Sequence, residues 1–298
     1  MTDQDIKALL HPKEHRYFIL SLVALIPIAL IIVALVIGTF GAILLFFALA
    51  YFGIWFGQKL LRTWYLAHSA RVDEHSFPGV HRIVEEVKAE LGYEKPIETF
   101  VVEEGSFNCL LMPFFQRKIL IIHTGLLEEH VTGTEVKWVV ARFVGSLRAK
   151  SFRLSILQAL ISTSEKFFFL NLLLYPYERA VVKSGDRLGL AVIDGDITSA
   201  VSAMNRLCVG ARCASQISLT GIARQEKDME GFFGFVVRVF SSHPPLVHRY
   251  RELLNFARQT YPHRLNEFSH HLLNAAAPQP TGQHQHQPAQ QMTAASAP

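Results

Sequence analysis

Zinc chemistry on a helix needs two histidines at i and i+4, which share a face and can grip the metal, with a glutamate after the first to activate the bound water. The helical stretch Glu-Val-Lys-Trp-Val-Val-Ala-Arg-Phe-Val-Gly-Ser-Leu-Arg at residues 135–148 carries no such pair, and at its middle holds Arg142, Phe143, Val144, Gly145 and Ser146. No histidine in the chain is followed by glutamate, so no shift of register restores H-E-x-x-H. The inverted pattern H-x-x-E-H does occur, as His11-Pro12-Lys13-Glu14-His15, but with proline in second place and no long helix expected around it. It reads better as a polar segment flanking an apolar run. Ser146 has neither a G-x-S-x-G elbow nor a His-Asp pairing beside it and reads as a small residue on a packed helix face. His123 reads as a strand-end residue and His130 as a loop residue. Cys109, Cys208 and Cys213 are odd in number and lack metal-ligand spacing, which suits a reducing compartment.

The elements that would hold these residues are partly legible. Residues 17–57 contain no Asp, Glu, Lys or Arg, well beyond the roughly 20 residues that one membrane span requires. Gly38, Thr39 and Gly41 interrupt the run, so two spans are expected, at about 17–36 and 42–57. Lys13 and Arg16 precede the first, and Lys59, Arg62 and Arg71 follow the second, so a hairpin puts both basic flanks on one side, cytoplasmic by the positive-inside rule. Tyr51, Trp55 and Trp64 suit the headgroup level. A secretory signal peptide has a shorter apolar region and a small-residue cleavage site, and fits poorly. The net charge of +4 comes without a dense basic stripe, which argues against nucleic acid and is accounted for by anionic lipid headgroups.

Beyond the apolar run, residues 59–70 are expected to carry the second helix onward. Ser76 and Pro78 open a further helix that Gly92 ends, and residues 97–102 and 118–122 read as β-branched strands. Thr134 and Glu135 open the helix that should hold the site, to about Lys150. Residues 155–177 are apolar but interrupted by Glu165 and Lys166, and the piece 167–175, with its Phe-rich start, is too short to span a bilayer; it reads as a buried helix, with a membrane-surface or re-entrant segment as the alternative. Helices are expected at about 197–209 and 246–260. From Ala275 the chain is Ala, Pro, Gln, His and Thr, with nothing to bury: a disordered tail, in which His284 and His286 are simply solvated. The expected organisation is thus a cytoplasmic segment at 1–16, two transmembrane helices at 17–57, a domain at 58–272 and a tail at 273–298.

Four segments in order resemble the HtpX-like membrane zinc metallopeptidases, the group that includes the CAAX prenyl proteases. Ser106, Phe107, Asn108 and Cys109, with the strand and the Thr124-Gly125-Leu126-Leu127 corner after Arg117, are similar to the family's Asn-Ala-Phe turn and following strand. Glu135, Val139, Ala141, Gly145 and Arg148 fit the frame of its zinc helix. Arg179, Asp186, Arg187 and Gly189 are similar to its R-x-x-E-x-x-A-D-R-x-G segment. Ser242-His243-Pro244-Pro245 with Arg249 resembles its T/S-H-P-P and following Arg. The resemblance implies an α+β fold: a mainly helical, zincin-like (gluzincin-type) domain with a small β-sheet after a transmembrane helical hairpin, in an integral membrane protein of a bacterial inner membrane.

It also implies where zinc would sit. The first His ligand position holds Arg142, the catalytic Glu position Phe143, the second His position Ser146 and the third ligand position Val182. Asp186, which in the family supports a zinc-bound His, His243, which in the family assists at the transition state, and Arg249 are retained. Asp186 without metal or histidine would be an uncompensated buried charge, so Arg142 is expected within pairing distance of it, with Phe143 and Val182 filling the former metal space. No metal or other cofactor is expected. The favoured reading is a pseudopeptidase that uses an edge strand, at 117–122 or its neighbour, to bind a peptide or membrane-protein segment or to regulate an active relative. The alternatives are an active zinc endopeptidase with unorthodox ligands, the case in which zinc would be bound, and a structural membrane partner with a filled cleft.

Overall fold

In the computed structural model, residues 1–39, 41–104, 108–112, 118–151 and 168–276 are described. The Ser106-Phe107 half of the first motif, Arg117, residues 155–167 and most of the expected tail lie outside them. A short helix α1 (Asp3–Leu9), begun by a capping box between Thr2 and Asp5, leads to α2 (Glu14–Gly38) and α3 (Ala42–His68). Both long helices are apolar enough to cross a membrane, and almost none of either apolar stretch is covered by the rest of the chain. A core helix of a soluble domain would be mostly buried. Gly41, at φ +82°, makes the turn between them in the left-handed region that glycine adopts freely.

Next come β1 (Ala70–Arg71), α4 (Pro78–Leu91), β2 (Ile97–Val102), β3 (Cys109–Met112) and β4 (Lys118–His123). Helix α4 opens at Phe77, which has a positive φ, with Pro78 as its first residue; the cap is therefore one residue later than Ser76. The strand order is β1-β2-β4-β3, with β2 and β4 parallel and both outer pairs antiparallel. Residues 118–122 are therefore interior, and the edge beyond them is β3. Of the two places expected for an edge, the neighbour is the one observed, for a physical reason: β4 is an apolar, β-branched run between Lys118 and His123 because it is covered on both faces, whereas an edge strand is short and partly exposed, as β3 is.

The two faces of the sheet serve different neighbours. Phe100, Ile119 and Ile121 point to one side and pack against Tyr65 of α3. On the same side Arg62 of α3 grips Glu98 through two hydrogen bonds of 2.7 and 2.8 Å. Val101, Leu120 and Ile122 point to the other side and join the main core. That core is built around α5 (Gly133–Arg148), whose Trp138, Val139, Val140, Ala141 and Val144 are fully buried. Its N-cap is Thr132, in a capping box with Glu135, two residues earlier than Thr134. Helix α6 (Phe168–Val192) packs along α5, and α7 (Ile197–Val209), α8 (Leu219–Asp228), α9 (Phe232–Phe240), α10 (Leu246–Thr260) and α11 (Pro262–Ala276) follow. Residues 168–175 are thus the first turns of a long helix rather than a separate element. The helix α11 runs to Ala276, into the stretch that composition marks as tail.

Candidate active-site cluster

Helices α5 and α6 cross closely because of three glycines. A Cβ at Gly145 would come within 2.9 Å of the Leu188 side chain, and one at Gly189 within 2.9 Å of both Arg142 Cγ and Trp138 Nε1. At Gly185 it would lie 3.3 Å from Arg142 O and Ser146 Oγ. With no side chains in the way, Arg142 on α5 and Asp186 on α6 meet inside the interface. Arg142 Nε stands 2.7 Å from Asp186 Oδ1, the pairing expected from the register. The Nε–H is not aligned for a hydrogen bond, so this contact is electrostatic.

The directed bonds to Asp186 come from Arg249 on α10. Its Nε donates to Oδ2 and its Nη2 to Oδ1, both at 2.9 Å, the fork-to-carboxylate geometry that arginine's planar head favours. Asp186 is 3% exposed. Burial alone would raise its pKa; the charges of Arg249 and Arg142, with the fork from Arg249, outweigh burial and hold it below the ordinary 3.8. Burial lowers the Arg142 guanidinium, opposed by Asp186 and reinforced by Arg249, to about 10, so it remains a cation at neutral pH. The guanidinium also lies 4.9 Å from the centre of the Trp138 ring and 5.7 Å from that of Phe143.

The other expected positions surround this pair. Ser146 is buried and its hydroxyl donates back to Arg142 O at 2.8 Å, an ordinary helix-wall bond. Phe143 is half-buried against the main core, and Val182 is half-buried on α6. His243 is exposed at the rim, with its side chain 3.1 Å from Ser242 Oγ. Protein around the ring, then the charges of Arg249 and Arg142, push its pKa below the ordinary histidine value, leaving it neutral at pH 7. Cys109, at the start of β3, is buried near enough to feel Arg142, and burial pushes its thiol strongly upward, so it is inert.

Trp138 and Glu178 were not foreseen, and Arg249 has a larger role than its motif implied. Trp138 was readable, since it lies one turn before Arg142 on the same face. Arg249 was singled out by its motif, but not as the stronger partner of Asp186. Glu178, one turn before Val182 on α6, gave no signal. Both its oxygens are buried without a hydrogen-bond partner among the described residues, and burial, partly offset by Arg179, raises its pKa to about 7.

The segment His11 to His15 is tucked into the domain instead of flanking it loosely. The His11 N–H donates to Ser184 Oγ at 2.8 Å, and the Glu14 carboxylate accepts from the hydroxyls of Ser151, at 2.6 Å, and Ser184. Glu14 thus has a structural task.

Among the described residues no three His, Cys, Asp or Glu side chains converge as a metal-ligand set. The positions that a zinc ion would need do not fit one: a guanidinium repels a cation, and Phe143 and Val182 have no donor atom.

The sequence profile of peptidase family M48 matches residues 74–257, more than half of the chain and all the elements that build this cluster. The chain belongs to that family. Comparison with curated proteins and with solved structures gave no match.

Proposed function

We propose that this chain is a membrane-anchored M48 homologue of the HtpX-like kind in which an ion-pair cluster has replaced the zinc site, and that it binds peptides or membrane-protein segments without cleaving them. The observation that carries this reading is Asp186 held by Arg249 and Arg142 where metal chemistry would be done. Removing the ion and its base removes the electrophile and the activated water together. Strand β3 supports the binding role: it is the edge beside the cluster, with Leu110 45% exposed, and an extended segment can add to such an edge through main-chain bonds. The exposed apolar helices α2 and α3 support the membrane anchor, and the basic residues Lys13, Arg16, Lys59 and Arg62 beside them favour a cytoplasmic domain.

The direct test is zinc per chain, by elemental analysis of detergent-purified protein lacking residues 277–298. Zinc far below one per chain, with no hydrolysis of an unfolded membrane-protein substrate, is expected. One zinc per folded chain would overturn the assignment.

A further inference from the structure

Beside the first turn of α2 the chain gathers positive charge that the ion-pair cluster does not use. A cavity of about 210 Å³ is lined by Lys13, Arg179, Lys183, Arg238 and Arg251, with Glu252 as the carboxylate among them. Two of these cations are matched: Lys183 Nζ is 3.0 Å from Glu252 Oε1, and Arg251 Nη1 is 2.5 Å from Glu226 Oε1. Arg179 uses Nη1 to hold backbone carbonyls, those of Arg238 at 2.7 Å and Ser241 at 2.6 Å, and has no carboxylate at salt-bridge distance. Lys13 and Arg238 likewise have no carboxylate partner among the described residues. Among the described residues, three of the five cations around this small concavity thus have no carboxylate at salt-bridge distance, Arg179 feeling the charge of Glu178 without an ion-pair contact. His248, 8% exposed, lines it too; its Nδ1 lies 3.5 Å from Glu226 Oε1, and neither ring nitrogen makes an aligned hydrogen bond among the described residues.

The surroundings indicate where the missing anion comes from. Tyr17, in the first turn of α2, lines the same cavity, so the cavity sits where the long apolar helix begins. Arg238 is contributed by α9, whose other side chains are hydrocarbon and in good part open: Phe232 is 73% exposed, Phe233 82%, and Phe235 and Val237 are exposed as well. A short helix with aromatic side chains in the open and an arginine turned to a basic cavity has the composition of an interfacial helix, apolar face in the acyl boundary and cation at the phosphates. Arg179 clamps the C-terminal carbonyls of α9 and so fixes it beside the start of α2.

We infer that α9 lies in the membrane interface and that the cavity holds the phosphate of an anionic phospholipid headgroup. This rests on the reading of α2 and α3 as membrane spans. The lipid binds by charge and by the acyl chains beneath α9, so a zwitterionic lipid or free phosphate satisfies only part of the site.

The test uses the full chain. Resistance to alkaline carbonate extraction from membranes establishes the spans; if the protein is extracted, the anchor reading itself falls. With the spans established, delipidated protein is titrated with phosphatidylglycerol or phosphatidylcholine and bound lipid is read by native mass spectrometry. One phosphatidylglycerol retained in preference to phosphatidylcholine is expected, weakened about tenfold or more in the Lys13→Gln, Arg238→Gln double variant. Equal retention by parent and variant, or of the two lipids, overturns the headgroup site. Displacement of the lipid by millimolar inorganic phosphate overturns it in favour of a free-phosphate site. For α9, a spin label at Phe233→Cys, with Cys208→Ser and Cys213→Ser, should be accessible to oxygen and shielded from a water-soluble nickel chelate in lipid nanodiscs. Equal access to both reagents overturns the interfacial placement.

Discussion

Helix α6 carries two buried carboxylates about two turns apart, and the protein treats them in opposite ways. Asp186 accepts a two-pronged bond from Arg249 and lies against Arg142, and its pKa is depressed. Neither Glu178 oxygen has a hydrogen-bond partner among the described residues, and its pKa is raised to about 7. Burial pushes both in the same direction, and partners decide the outcome. The difference teaches that a buried carboxylate on this helix stays ionised where directed cation contacts outweigh burial, as at Asp186; at Glu178, where the Arg179 charge offsets burial in part, the carboxyl is held closer to neutrality.

The contrast is broken most severely at its stable end. Asp186→Asn removes the anion between two buried guanidiniums, and the loss should be about 3–5 kcal/mol, the usual scale for one partner of a buried pair. Denaturant unfolding in detergent would measure it, and a loss below about 1 kcal/mol would mean that water reaches the cluster.

The unpaired end should respond with the opposite sign and depend on pH. Because the Glu178 pKa rises from 4.5 to about 7 on folding, the folded state binds more protons between those values, and stability falls as pH rises through that window. Glu178→Gln is therefore expected to stabilise by on the order of 2 kcal/mol at pH 8 and to do almost nothing at pH 4. Asp186, with its depressed pKa, works the other way: its contribution is full above about 3.8 and is lost as pH falls through the lower folded value. Unfolding midpoints of the parent and Glu178→Gln across pH 4–8, above the range in which Asp186 titrates, would isolate the Glu178 slope, and parallel curves would refute the pKa assigned to Glu178.

The smallest effect separates the two arginines. Arg142→Met leaves the Arg249 fork on Asp186 intact and relieves a buried cation, so stability should stay within about 1 kcal/mol of the parent. A loss as large as that of Asp186→Asn would make Arg142 the principal partner.

The pattern of what the sequence revealed follows from how local each signal is. Two long helices were readable from an uncharged apolar run, and the Arg142–Asp186 pair from the helical register of two motifs, because both depend on neighbours in the chain. The bidentate role of Arg249 depends on the angle at which α10 meets α6, which no local pattern encodes. Which strand forms the edge stayed open for a related reason: Cys-Leu-Leu-Met at 109–112 is a weak strand by composition, and only pairing with β4 makes it the edge. Helix α9 was missed because Phe-Phe-Gly-Phe-Val-Val reads as a β-run by propensity, and Glu178 because isolation is a property of surroundings.

The fork between Arg62 and Glu98 has a mechanical consequence. Helix α3, at 27 residues, is about 40 Å long, some 10 Å more than a hydrocarbon core of about 30 Å. Its far end is bolted to the sheet by that fork and by Tyr65 stacked on Phe100, and β1 follows His68 with only Ser69 between. With α3 as a span, there is no slack joint at which its angle can be absorbed. A thicker or thinner bilayer that alters the tilt of the helix therefore turns β2, β4 and the helix packed behind them as one lever, and the lipid thickness becomes a load that the Arg142–Asp186–Arg249 cluster must bear.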